Sequence, residues 1–245
     1  MRLAGKVAIV TGGTKGLGHA VAQAFAKEGC RVVCAARRPD ERGELPPLGA
    51  GDLAHHPVDV RDPGSVEALM RATYETYGRL DVVVANAGHS RPGPAERLTP
   101  KDWSDVIATN LNGTFLTVRS AIPYVERDGG GRIITLSSAL ATRVARGSSA
   151  YAASKAGIEA LTRVVAVELA GRPVTVNCLS PGFVDEGMGR ELARNEALWS
   201  YYGGKIAQGR AGRADEIAEA ALFLAGDASS YVNGHVLEVN GGLSW

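Results

Sequence analysis

Tyr151 and Lys155 stand four residues apart in the segment Tyr-Ala-Ala-Ser-Lys, and Ser138 precedes Tyr151 by thirteen residues. On a helix, residues four apart lie on one face, so a phenol and an ammonium group can share a pocket. A phenol has a pKa of about 10 in water, and a nearby cation lowers that pKa toward the range in which acid–base catalysis is efficient. The spacing therefore predicts a tyrosine that donates or accepts a proton. The alternative is an exposed helical pair without a chemical role.

Three glycines, Gly12, Gly16 and Gly18, join a predicted strand to a predicted helix. Glycine permits a tight turn and a close approach of the backbone to a pyrophosphate, and the N-terminus of the helix adds N–H donors. The position of these glycines between a strand and a helix predicts a dinucleotide site. The alternative is a plain turn.

The residues after the second predicted strand indicate which dinucleotide is bound. An NAD-binding fold of this kind usually has a carboxylate there, which holds the ribose 2′-hydroxyl. This chain has Ala36 at that point, followed by Arg37 and Arg38, and Lys15 lies in the glycine-rich loop. Because cations pair with a 2′-phosphate, we expect NADP(H). The alternative is that these cations are solvated surface residues.

Segments typical of strands and helices alternate along the chain. Short apolar runs such as 7–10 predict strands covered on both faces, and apolar residues at helical spacing predict a helix over 16–28. Further strands are predicted at 31–35, 80–85, 132–136, 174–178 and 235–239, and further helices after the caps Asp62 and Thr99, the first ending at Gly78, and over 215–225. The alternation predicts an α/β fold, a doubly wound parallel sheet of Rossmann type, with 1–245 as a single domain. Ligands of such sheets bind beyond the carboxyl ends of the strands. Prolines and glycines between 38 and 54 predict a loop there.

Composition excludes several classes of function. The 27 basic and 26 acidic side chains nearly cancel, so no net field attracts nucleic acid or an anionic membrane. No apolar run has the length of a membrane span, and Met1 leads into the first strand without a signal-peptide pattern. Three cysteines argue against a disulfide framework, and no group of residues has the spacing of metal ligands. We expect a cytoplasmic protein without a metal.

These motifs, with Asn86-Ala87-Gly88, Asn110 and Pro181-Gly182, resemble the short-chain dehydrogenase/reductase family over residues 6–242. In general character the chain is similar to the 3-oxoacyl-[acyl-carrier-protein] reductase branch. The resemblance implies that Tyr151 exchanges the proton with a carbonyl oxygen and that Ser138 binds the same oxygen. It also implies that Lys155 lowers the pKa of Tyr151 and holds the nicotinamide ribose, and that the backbone carbonyl of Asn110 holds a relay water.

The resemblance further implies a set of cofactor contacts. Asp59 is expected at the edge of the adenine, and Asn86, Ala87 and Gly88 beside its ribose. The remaining expected contacts are Gly12, Thr14, Lys15, Gly16, Leu17, Gly18, Arg37, Arg38, Val60, Tyr151, Lys155, Pro181, Gly182 and Val184. Glu186 stands where the family commonly has a threonine that contacts the nicotinamide amide, which puts that contact in doubt.

Together these observations predict an NADPH-dependent ketoreductase that acts on a small carbonyl or alcohol substrate. The alternatives are an NAD-linked alcohol or steroid-like dehydrogenase and a non-catalytic dinucleotide-binding regulator. The resemblance implies a homotetramer with the last helix and strand between subunits, for which the apolar residues Ile217, Ala221, Leu222 and Leu224 are candidates. The alternative is that these residues only cover their own sheet.

Three arginines, Arg91, Arg143 and Arg146, lie in segments expected at the substrate entrance. They predict an anionic substrate if they point inward. The alternative is that they are solvated, as charged loop residues usually are.

Overall fold

The parallel sheet predicted from the sequence is present. The structure, a computed structural model, describes residues 1–38, 46, 49, 52–187, 189–190 and 196–244. Within these residues, seven strands form one parallel sheet in the order β3-β2-β1-β4-β5-β6-β7. The strands are β1 (Val7–Thr11), β2 (Arg31–Ala36), β3 (Leu53–Pro57), β4 (Val82–Ala85), β5 (Gly131–Leu136), β6 (Val174–Pro181) and β7 (Val236–Val239). Every residue of β1 and β4 is buried, because helices cover both faces of the sheet.

Helices follow the strands, and the predicted caps mark the starts of α2 and α3 and the end of α2. They are α1 (Gly16–Lys27), α2 (Pro63–Tyr77), α3 (Pro100–Ile107), α4 (Gly113–Val125), α5 (Ser149–Glu168), α6 (Glu196–Gly203) and α7 (Ala214–Ala225). The Asp62 carboxylate caps α2 by accepting from Gly64 N, and the Thr99 hydroxyl caps α3 by accepting from Asp102 N. Gly78 ends α2 with a φ of 74°, in the left-handed region that favours glycine.

The ends of some elements differ from the prediction. β6 continues from Cys178 to Pro181 because the edge strand β7 pairs with this extension, from Cys178 opposite Val236 to Pro181 opposite Val239. Most of the loop predicted over 38–54 lies outside the described residues. Leu53 and Ala54, which that prediction included, belong instead to β3 and pair with Val32 and Val33 of β2.

One core lies on each face of the sheet. On one face α1 and α7 pack against the strands, and on the other α2, α4 and α5 do so. The four residues expected to offer apolar surface to another subunit are each at most 1 % exposed and belong to the first core. That expectation was wrong, because the apolar face of α7 covers its own sheet: Ile217, Ala221, Leu222 and Leu224.

The strand order reverses between β1 and β4, which are neighbours in the sheet although β2 and β3 separate them in the chain. In an open parallel sheet, ligands bind in the crevice at such a switch point, beyond the carboxyl ends of the strands.

Over the described residues, no helix is long and apolar enough to cross a membrane. The same residues contain no group of three or more His, Cys, Asp or Glu placed to hold a metal, and the three cysteines are free and buried.

Candidate active site

The fold brings Ser138, Tyr151 and Lys155 together at the carboxyl end of β5. Ser138 lies just after β5, where its hydroxyl accepts from Leu140 N at 3.3 Å and caps a short 3-10 turn. Tyr151 and Lys155 lie on the first turns of α5, with Lys155 Nζ 5.5 Å from the centroid of the Tyr151 ring. The Ser138 hydroxyl lies close enough to the Tyr151 phenol to affect its pKa. The two hydroxyl groups can therefore meet one substrate oxygen.

Hydrogen bonds hold α5 against three successive residues, the last two of β5 and Ser137, which follows the strand. The hydroxyls of Thr135 and Thr162 are 2.7 Å apart, and Lys155 Nζ donates to Leu136 O at 2.7 Å. The Ser137 hydroxyl lies 3.1 Å from Lys155 O and 3.0 Å from the carboxylate of Glu159, which is buried. These bonds fix the position of α5 along β5, and with it the position of Tyr151 relative to Ser138.

Burial dominates the acid–base properties of the pair on α5. Burial raises the pKa of Tyr151, and the nearby Ser138 hydroxyl opposes this by lowering it. Burial also lowers the pKa of Lys155 to about 8. Lys155 Nζ is directed at the Leu136 carbonyl, and the expectation that Lys155 lowers the pKa of Tyr151 stays a prediction.

Asn110 clamps the chain beside the site with its side chain. It is fully buried in a π-helical turn, Ala108–Asn112, between α3 and α4. Its Oδ1 accepts from His89 N at 2.9 Å, and its Nδ2 donates to His89 O at 2.9 Å and to Ser154 Oγ at 3.1 Å. Its backbone carbonyl, for which the resemblance implied a water-holding role, accepts from the Thr114 hydroxyl at 2.6 Å.

The glycine-rich loop is packed against Asn86. Asn86 Nδ2 donates to Thr11 O at 2.8 Å, and the φ angles of Gly12 and Gly16 are 67° and 57°. A Cβ on Gly12 would lie 2.8 Å from Asn86 Nδ2, and a Cβ on Gly18 would clash with the same atom and with Gly12 O. Glycine is therefore required at 12 and 18 by close approach, and the side chain of Asn86 shapes the loop.

Several features fit a bound dinucleotide. The N-cap residue of α1, Lys15, makes no side-chain capping bond, so no side-chain cap competes with an anion at the start of the helix. A Cβ on Gly88 would lie 3.2 Å from Asn110 Oδ1 and 3.7 Å from Lys155 Nζ. Because glycine has no Cβ, that space beside the lysine stays open. His89 Nε2 is buried without a hydrogen-bond partner among the described residues. Donors for a pyrophosphate and an unsatisfied polar atom thus lie along one crevice.

The expected contacts at the adenosine end lie at the ends of β2 and β3. Arg37 and Arg38 are exposed after β2. The Asp59 carboxylate accepts from the Arg61 guanidinium, from Nε at 3.0 Å and from Nη2 at 2.6 Å, and also from the Arg61 backbone N–H at 3.0 Å. Arg61 is the main reason that the pKa of Asp59 is lowered to about 2, and Arg37 adds to this effect. Val60 is buried against Gly113, where a Cβ would lie 2.7 Å from its Cγ2.

The remaining expected cofactor residues line the loops on either side of this crevice. Thr14 is buried and Leu17 is half-buried at the start of α1. Gly182 packs so closely on Asn240 that a Cβ would lie 2.7 Å from its Cα, and Val184 forms a bridge to Gly212. Ala87 N donates to the Thr11 hydroxyl at 3.1 Å.

Glu186, which replaces the family threonine, is paired with Arg190 within its own segment. The next residue, Gly187, has a φ of 55° and touches the glycine-rich loop: a Cβ on Gly16 would lie 3.8 Å from Gly187 Cα. The segment after β6 therefore closes over the loop that precedes α1.

A cavity of about 430 Å³ lies beside the Ser138 turn, and both Arg143 and Arg146 line it. Arg143 is ion-paired with Glu238 at 2.7 Å, whereas Arg146 is exposed. Arg91 lies 3.8 Å from Asp105 and 3.9 Å from Asp102. Two of the three arginines that suggested an anionic substrate thus have carboxylate partners.

Sequence reasoning missed three residues of this region. Glu238 lies 95 residues from Arg143 in the chain, and no local pattern indicates that they meet. Arg61 stands two residues after Asp59, and this spacing could have predicted their ion pair. His89 directly follows Gly88 of the Asn86-Ala87-Gly88 motif. That position was the signal that could have marked His89 as a residue of the site, although nothing local shows that its Nε2 is buried.

Comparison with known proteins agrees with this geometry. A family profile described as "Enoyl-(Acyl carrier protein) reductase" matches residues 12–244. The chain is 36 % identical over 249 residues to a 3-oxoacyl-[acyl-carrier-protein] reductase of Thermotoga maritima, covering 99 % of each chain. It is 38 % identical to a D-threitol dehydrogenase of Mycolicibacterium smegmatis, covering 98 % of this chain and 94 % of the relative. The ligand-free aldohexose dehydrogenase of Thermoplasma acidophilum is 31 % identical, with a TM-score of 0.88 over 98 % of this chain and 94 % of that one.

Proposed function

Since the chain belongs to the short-chain dehydrogenase/reductase family of NAD(P)-dependent oxidoreductases, we propose that it is an NADPH-dependent ketoreductase in which Tyr151 donates the proton. The observation that carries the proposal is the meeting of Ser138, Tyr151 and Lys155 beside the open backbone of Gly88. A non-catalytic regulator has no need of this arrangement.

The protein side chains act on the substrate oxygen. When bound, the nicotinamide supplies the hydride to the carbonyl carbon. Negative charge then builds on the oxygen, where the hydroxyls of Ser138 and Tyr151 stabilise it as donors. Because burial raises the pKa of Tyr151, the phenol is protonated at neutral pH, which is the form that a proton donor needs.

Three residues position the cofactor next to these donors. Lys155, on the face of α5 that borders Gly88, would hold the nicotinamide ribose hydroxyls. Asn110 fixes the backbone of His89 and thereby the wall formed by 86–88. Asn86 shapes the glycine-rich loop that would approach the pyrophosphate.

The choice of NADPH is supported by the charges at the end of β2. Ala36 offers no carboxylate to a ribose 2′-hydroxyl, and the exposed Arg37 and Arg38 can pair with a 2′-phosphate. An NAD-linked alcohol dehydrogenase is the second candidate, because two similar proteins are named as dehydrogenases of polyhydroxy compounds. The same hydroxyls would then work in the oxidative direction.

A kinetic screen tests the proposal. β-Ketoacyl thioesters, cyclic ketones and quinones are offered with NADPH and with NADH, and Tyr151→Phe is compared with Tyr124→Phe, a control phenol that donates to Glu67 away from the site. We expect Tyr151→Phe to abolish ketone-dependent NADPH oxidation with little change in NADPH affinity, whereas Lys155→Ala should weaken both. Oxidation that survives in Tyr151→Phe, or equal loss of cofactor affinity in the two variants, contradicts the assigned roles.

The proposal extends to the organisation of the protein. Residues 1–245 would form one dinucleotide-binding and catalytic domain, located in the cytoplasm with the NADPH pool, and the three free thiols suit a reducing compartment. A homotetramer is supported by apolar side chains that α4, α5 and α7 leave exposed: Phe115, Val164, Val167 and Phe223. A monomer mass in light scattering at micromolar concentration would exclude the tetramer.

A further inference from the structure

We propose that Glu238 determines the charge preference of the substrate pocket by holding Arg143, so that the pocket selects carbonyl compounds without a negative charge at this end. The inference rests on the proposed ketoreductase function and names the class of its substrate. It follows from the contacts of one ion pair that links the edge strand to the pocket wall.

The Glu238 carboxylate is held from two sides. Glu238 lies on β7, in register with Ser180 of β6, at the end of the sheet where the site lies. Its two oxygens are 2.8 and 2.7 Å from Arg143 Nη1, and Oε2 also accepts from Asn240 Nδ2 at 2.6 Å. Arg143 Nη1 donates in addition to the Thr142 hydroxyl at 2.8 Å. Nη1 therefore directs its N–H groups at the protein, and the positive charge of the guanidinium group lies against Glu238.

The pocket has a balanced charge as a result. Of the charged residues that line the cavity of about 430 Å³, Arg143 and Arg146 are basic and Glu96 is acidic. Glu238 adds a second negative charge in contact with Arg143, so that the four charges cancel. An arginine without a partner attracts a carboxylate with its full charge, but the charge of Arg143 is already balanced by the protein's own carboxylate.

The effect does not require a strong ion pair. The side chains of Arg143 and Glu238 are 21 % and 38 % exposed, so solvent screens their attraction and the pair adds little to stability. For a ligand, what matters is that Glu238 cancels the charge of Arg143. A substrate carboxylate bound to Arg143 would lie beside the Glu238 anion and be repelled by it.

The test compares a keto acid with its methyl ester, which share the reacting carbonyl. The readout is the ratio of kcat/KM for the acid to that for the ester. Glu238→Gln retains the side-chain volume and an amide oxygen for Asn240 Nδ2, but it frees the charge of Arg143. We expect this variant to raise the ratio about tenfold, the worth of one charge-assisted hydrogen bond. In the double variant Arg143→Gln/Glu238→Gln the ratio should return to the wild-type value.

Control variants separate this effect from general damage. Glu126→Gln makes the same change in an ion pair with Arg172, beside the opposite ends of β5 and β6, and should leave the ratio unchanged. Glu238→Ala serves as a second removal of the carboxylate if the glutamine variant does not fold. A ratio within twofold of wild type in the folded variant, or a gain that persists in the double variant, overturns the inference.

Failure of the proposed function is recognised separately. Wild-type protein that does not oxidise NADPH with any neutral ketone refutes that function. The inference is then decided by calorimetry, which measures the affinities of the acid and the ester. Their ratio should rise in Glu238→Gln, and an unchanged ratio refutes the inference.

Discussion

Replacing Asn110 with alanine should destabilise the protein by about 3 kcal/mol, since the side chain makes three hydrogen bonds in a fully buried position and each contributes about 1 kcal/mol. Two of these bonds satisfy the backbone N–H and carbonyl of His89, which would lose their partner. In a chain of this length, the loss corresponds to a fall in Tm of about 6–12 °C.

Thermal unfolding followed by circular dichroism measures the change. Thr114→Val is the matched control, because it removes only the hydroxyl bond to the Asn110 backbone carbonyl and leaves the side-chain clamp intact. That variant should lose about 1 kcal/mol. A second readout is the dissociation constant of NADPH, which should rise in Asn110→Ala because the wall formed by 86–88 loses its fixed position.

The comparison discriminates between two roles of the same residue. If the side-chain clamp is what matters, Asn110→Ala is much the more damaging of the two variants in both readouts. If Asn110→Ala unfolds no earlier than Thr114→Val and binds NADPH as wild type does, the clamp contributes nothing, and the backbone carbonyl remains as the functional group.

Two further predictions concern charge. Arg37→Asp should lower the preference for NADPH over NADH at least tenfold, because a partner of the 2′-phosphate becomes a repelling group; an unchanged ratio of dissociation constants would make Arg37 a surface residue only. Burial lowers the pKa of Lys155 from 10.5 to about 8, so folding disfavours its charged form, and the resulting penalty is complete below pH 8 and disappears as the pH rises to 10.5. The stability of the wild type relative to Lys155→Met should therefore rise across that window in urea unfolding, and a constant difference would show that the lysine is not desolvated.

The fold was predictable because its signals are local. The buried run of β1 and the caps Asp62 and Thr99 each define an element from a few adjacent residues. The arrangement of the proposed catalytic residues was likewise predicted from spacing, since Tyr151 and Lys155 share a helix and Ser138 follows a strand.

Contacts between distant segments could not be predicted in this way. Helical periodicity shows that Ile217 lies on an apolar face, but it does not say whether the face covers the chain's own sheet or another subunit. Nothing in the sequence around Arg143 indicates that Glu238 neutralises it. The role of Asn110 was predicted from its backbone, whereas its side chain makes the contacts that fix the site.

The links between α5 and β5 have a consequence for how this protein changes over time. A shift of the helix by one turn would break the bonds of Thr135, Leu136 and Ser137 together, so the spacing of the acid–base groups is inherited as a unit. The pocket wall at 139–148 takes no part in those bonds and can be altered without disturbing them. Under the proposed function, a mutation in the pocket wall would therefore bring a new substrate to the same reacting groups. The relatives named a 3-oxoacyl-[acyl-carrier-protein] reductase and a D-threitol dehydrogenase each match this chain almost end to end, as such a division would allow.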